Sequence, residues 1–95
     1  MFDPTNALAL VKARLDRLPS DTTLDAVLAA RIDAAAEELG NKGIHLNGSA
    51  NDTELLVDLA VYNYRCRDSS GGMPEWLRYR IRERWLNDRR SSDDT

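Results

Sequence analysis

Scarcity narrows the reading of this chain before any motif does. Its 95 residues include one cysteine and one histidine. Cys66 has no partner for an internal disulfide or a thiol metal pair, so a reducing compartment is the simple expectation. A lone His45 leaves no two-histidine metal site and makes a histidine-based triad a poor reading; it is taken as a loop residue. Only five glycines and three prolines are present, and no repeat or low-complexity stretch. That excludes collagen-like and Pro/Gly-rich disordered classes. No stretch approaches the roughly 20 apolar residues of a membrane span, and the first residues lack a basic leader followed by an apolar run. A soluble protein made in the cytoplasm is expected. The adjacent acids Glu37-Glu38 point about 100° apart on a helix, so they do not form an acid/base dyad. Neither a calcium loop nor a phosphate-loop or dinucleotide glycine pattern occurs. These absences leave no catalytic, metal-binding or cofactor-binding candidate, and a non-enzyme needing no cofactor is expected.

What is present is 42% hydrophobic and 31% charged residues, the composition of one ordered helical domain with a modest core. The formal charge is −3, unevenly placed. Residues 1–64 hold five Lys and Arg against ten acids, and residues 65–95 hold eight Arg against six acids. Such polarity suits head-to-tail packing of copies, or is simply two solvated faces. A net acidic chain is also a poor prior for a stand-alone duplex-DNA binder.

The pattern predicts an all-α bundle of about four helices with an irregular loop at 40–51. Asp3 and Pro4 form the N-cap and first position of the first helix, whose stripe is Leu8, Val11, Leu15 and Leu18 before Pro19 stops it. Thr22 and Asp25 make a capping pair for a second helix over about Thr23 to Leu39, closed by Gly40 as a left-handed cap. Leu24, Val27, Leu28, Ile32, Ala35 and Leu39 form its stripe, beside the small run Ala34 to Ala36. Asn51 as N-cap with Glu54 opens a third helix running to about Arg67. Leu55, Leu59, Tyr62 and Cys66 form one apolar stripe there and Val57, Val61 and Tyr64 a second, leaving a polar edge at Glu54, Asp58 and Arg65. A glycine hinge at 69–72 precedes a fourth helix that starts near Pro74 and reaches about Asn87, with the last six residues expected to be disordered.

Two neighbouring helices carrying this much apolar surface exceed what one small core absorbs. Val57, Val61, Tyr64, Trp76, Tyr79 and Leu86 are therefore the candidate inter-subunit or partner interface. Leu77, Ile81 and Trp85 form the inward stripe of the last helix. The arginines Arg78, Arg80, Arg82, Arg84, Arg89 and Arg90 have three readings: contact with phosphates, pairing with acids of the second helix in an adjacent copy, or solubilisation of an aromatic-rich helix. Arg78, Arg82 and Arg89 line one side and are the candidate charge-pairing or DNA-channel residues.

The order of elements carries a family likeness in three places. They are the helix Asp21-Thr-Thr-Leu-Asp-Ala-Val-Leu-Ala-Ala-Arg-Ile-Asp-Ala-Ala35, the apolar helix Leu55 to Asp68 ending in Tyr and Arg-acid, and Met73-Pro through Arg84 after a Gly/Pro turn. Across about residues 7–87 the chain resembles the small head-to-tail connector (head-completion, or adaptor) proteins of tailed double-stranded DNA bacteriophages. The segment Asn41 to Asn51 does not match that pattern. The resemblance implies a non-enzymatic α-helical subunit that joins a homo-oligomeric ring beneath the portal protein and extends the channel through which double-stranded DNA passes. It also implies a platform for a tail-side stopper or tail-completion protein, and a place at the neck of the virion after assembly in the bacterial host cytoplasm. The other reading of the same residues is a small helical regulatory or nucleic-acid-binding module using the arginines of the last helix.

Overall fold

The computed structural model describes residues 3–18, 20–66 and 73–93, with the side chains of Cys66 and of 89–93 left out. It is all-α: α1 (Pro4–Arg14), α2 (Asp25–Asn41), α3 (Ala50–Cys66) and α4 (Glu75–Asp93), with no strand among the described residues. α3 is the central element, packing against α1, α2 and α4.

The first helix begins as its sequence dictates. The Asp3 carboxylate accepts from the Thr5 and Asn6 amides at 3.0 and 3.4 Å, and Pro4 occupies a first-turn position where no amide is needed. It ends four residues earlier than the Leu8–Leu18 stripe implied. Leu15 caps it and Asp16 takes φ 58°, a left-handed turn that an aspartate tolerates. Leu18 consequently lies outside the helix and is 70% exposed, whereas Val11 is buried. Pro19 itself lies outside the described residues.

α2 starts without a side-chain cap. Asp21 instead accepts from the Thr23 amide at 3.0 Å, and the Thr22–Asp25 capping pair is not formed. Leu28, Ile32, Ala35 and Leu39 are buried, while Val27 is 40% exposed. Gly40 remains helical, so the left-handed cap sits three residues later, at Gly43 with φ 90°. Two backbone bonds close it, Ile44 N–H to Leu39 O at 3.0 Å and Gly43 N–H to Gly40 O at 3.0 Å. This is the six-to-one and five-to-two pair of a Schellman ending, with Leu39 and Ile44 both buried beside it. A Cβ at Gly43 would meet the Trp85 indole at 3.5 Å, ordinary contact, so glycine is favoured there by its φ and not by space.

The N-cap of α3 is Ser49 and not Asn51: its hydroxyl accepts from the Asp52 amide at 3.2 Å. Asp52, at the third helical position and two residues before Glu54, reaches back past the N-cap to accept from the Asn47 amide at 2.9 Å. Beyond that cap, Leu55, Leu56, Val57, Leu59, Ala60 and Val61 are all buried. The placement of Val57 and Val61 on an outer face is thereby corrected. With three helices around α3, the described side chains of both its apolar stripes are buried or half-buried inside one chain. α4 is also longer than its apolar pattern, since its backbone stays helical to Asp93 through residues expected to be disordered. The hinge at 69–72 and residues Arg67 and Asp68 lie outside the described residues.

Candidate functional site

Ion pairs within the chain decide which arginines remain for a partner. Asp58 sits in the middle of α3's apolar run and is only 8% exposed. Its two carboxylate oxygens accept from Arg14 of α1 and Arg80 of α4, so one acid ties three helices together. Arg14 also bonds Glu54, and its carbonyl accepts from Arg65 at 3.1 Å. The hydrogen bond that Arg14 donates to Asp58 chiefly raises the Arg14 pKa above its usual value, against the opposing effect of burial.

Arg84 is a second hub. It donates to Asp52 from Nε at 2.6 Å and Nη2 at 3.0 Å, to Asp88 at 2.7 Å, and to the His45 carbonyl at 2.6 Å. Asp88 in turn accepts from the His45 amide at 2.7 Å and lies 2.9 Å from its Nδ1. This mesh fastens the 43–49 loop to both α3 and α4. Hydrogen bonding to Asp52 is the main cause that holds the Arg84 pKa above normal. Hydrogen bonding from Arg84, helped by His45, brings Asp88 down to about 2. For Asp52, burial pushes the pKa up, but the bonds from Arg84 and the Asn47 amide outweigh it and the net shift is downward.

Arg80 and Arg84 are thus spent on acids of their own α3, a pairing the sequence reading did not anticipate. The available signal was Asp58 itself: an acid flanked by Leu55-Leu-Val57 and Leu59-Ala-Val61 is buried only if cations reach it. Arg78 and Arg82 are exposed and have no ion-pair partner among the described residues. Together with Lys42 at the end of α2 they rim a groove of about 690 Å³ whose apolar lining is Met73, Ile81 and Trp85. Among the described residues its lining holds three cations and no acid. Arg89 belongs to α4, but its side chain lies outside the described residues.

The six candidate interface residues divide. Val57 and Val61 are core, and Tyr64 is half-buried against that core. Leu86 is half-buried on α4. Trp76 and Tyr79 stand in solvent at 55% and 64% exposure, one turn apart on α4. Two exposed aromatics so placed are the part of the apolar surplus that the fold does not absorb.

No group of three or more metal-ligating side chains exists among the described residues, and no helix there is long and apolar enough to cross a membrane. No protein-family model, curated protein or solved structure matches the chain.

Proposed function

We propose that this chain is a non-enzymatic head-to-tail connector subunit of a tailed bacteriophage or prophage. In this role it rings the portal vertex, extends the DNA channel and helps join the tail. The observation that carries the reading is that α4 keeps two outward surfaces free of the core: the Trp76 and Tyr79 pair, and the groove edged by Lys42, Arg78 and Arg82. A ring subunit that also seats on a portal and receives a tail-side protein needs more than one such surface on a small body. The likeness of helix order across about residues 7–87 supports the same role, as does the net charge of −3, since a channel wall that passes DNA must not grip it.

The test is co-sedimentation of the folded chain with its cognate portal protein. Binding that weakens when Trp76 and Tyr79 are both replaced by Ala is the expected result. Absence of binding, with both proteins folded, overturns the proposal.

One observation favours a second reading. Lys42, Arg78 and Arg82 form a cluster with no acid among the described residues of its lining, which a phosphate backbone would satisfy. That reading, a small nucleic-acid-binding module, requires duplex or single-strand binding that weakens steeply as salt rises.

A further inference from the structure

The cation-rimmed groove has a counterpart on the same molecule. The outer face of α2 carries Val27, Ala30, Asp33, Ala34 and Glu37, all exposed. Asp33 and Glu37 have no ion-pair partner among the described residues. They are four residues apart, and so are Arg78 and Arg82, so each pair projects from one side of its helix at the same separation of about 5–6 Å between Cβ atoms. Around the acids the residues are small, so this helix can approach another surface closely. Around the arginines there is a concavity lined by Met73, Ile81 and Trp85.

We propose that the groove takes the outer face of α2 from a second copy of the chain. Asp33 and Glu37 of that copy meet Arg78 and Arg82, and Val27 and the alanines enter the apolar part. The two surfaces are different, so the contact is heterologous: each subunit donates α2 to one neighbour and its groove to the other, and the series closes into a ring if the rotation allows. Charge and apolar complementarity together favour this occupant over a nucleic acid. A phosphate backbone would match the arginines but leave the apolar lining of Met73 and Trp85 uncovered, whereas the outer face of α2 supplies acids and small apolar residues together. The inference deepens the ring-subunit reading and rests on it.

The experiment is sedimentation velocity at low salt, up to millimolar protein, on the wild type and two charge-reversal variants, Asp33→Lys/Glu37→Lys and Arg78→Glu/Arg82→Glu. All four positions are solvent-exposed, and far-UV circular dichroism with melting verifies the fold of each variant. The wild type is expected to self-associate, more weakly as salt rises. Each variant alone should need at least about tenfold more protein to do so, and mixing the two should restore association, because each supplies what the other reversed. The milder Glu37→Gln and Arg82→Gln variants give the same comparison should a reversal unfold the chain. A monomeric wild type throughout the range, reversals without effect, or no restoration on mixing overturns the interface. So does loss of double-stranded oligonucleotide binding in Arg78→Glu/Arg82→Glu with unchanged mass, which assigns the groove to nucleic acid. Portal co-sedimentation separates the two failures. Portal binding with reversals that change nothing sinks this contact alone, whereas restored association without portal binding sinks the connector role and keeps the contact.

Discussion

Replacing Asp58 with Ala tests the internal architecture most directly. The carboxylate is 7% exposed and accepts from Arg14 and Arg80, whose side chains are 41% and 38% exposed. Removing an acid from between two fully buried cations would cost about 3–5 kcal/mol, since both charges would be stranded. Here each guanidinium already reaches solvent and can turn toward it, which limits the loss. Arg14 also retains Glu54. The remaining cost is that of two charge-assisted hydrogen bonds and a small void in α3, about 2–3 kcal/mol in all. For a domain of this size, about 4–8 °C of melting temperature accompanies each kcal/mol, so a fall of roughly 10–20 °C is expected. Thermal unfolding followed by circular dichroism, with a double-mutant cycle against Arg80→Ala, measures it. The cycle should return a coupling of about 1 kcal/mol or more. A fall below about 3 °C together with negligible coupling would refute the claim that Asp58 binds α1, α3 and α4 together.

Two further outcomes follow from the other contacts. Asp88 is held down to about 2 by Arg84 and His45, so its unfolded form takes up a proton first as the medium is acidified. Its contribution is therefore complete above the ordinary carboxylate range and is lost as pH falls through about 2. In melts from pH 5 to pH 2 the gap between wild type and Asp88→Asn should shrink steadily; a gap that stays constant speaks against the ion pair. Trp85 is half-buried against the core and lies over Gly43, so Trp85→Ala should cost somewhat less than the about 3–5 kcal/mol of a fully enclosed tryptophan, whereas Trp76→Ala should stay within about 0.5 kcal/mol. Equal melting of the two variants would contradict these placements.

Local signals in the sequence were sufficient where the determining atoms are neighbours in the chain. Asp3-Pro4 fixed the start of α1, and the Leu28, Ile32, Leu39 and Leu77, Ile81 spacings fixed which faces turn inward. The end of α2 was harder to read. Gly40 and Gly43 both offer a left-handed residue, and only the burial of Leu39 and Ile44 around the closing bonds selects the second. The outer assignment of Val57 and Val61 failed for a non-local reason, since a helix covered on several sides and one meeting a second subunit present the same apolar circumference. Spacing puts Arg78 and Arg82 on one side of α4, but it does not show that Arg80 and Arg84 pair within the chain. All four alternate along one helix, and only the position of α3's acids determines which are consumed.

The attachment of α4 combines apolar contact with charge. α1, α2 and α3 share the continuous apolar interior, but the last helix adheres through Leu77, Ile81 and the flank of Trp85, supplemented by guanidinium clasps at Asp52 and Asp58. Detaching it would uncover Leu77 and Ile81 and break both clasps, while Leu28, Ile32, Leu39 and Leu56 would keep their contacts among α1, α2 and α3. The helix that carries the exposed Trp76 and Tyr79 is thus seated on the bundle partly by charge.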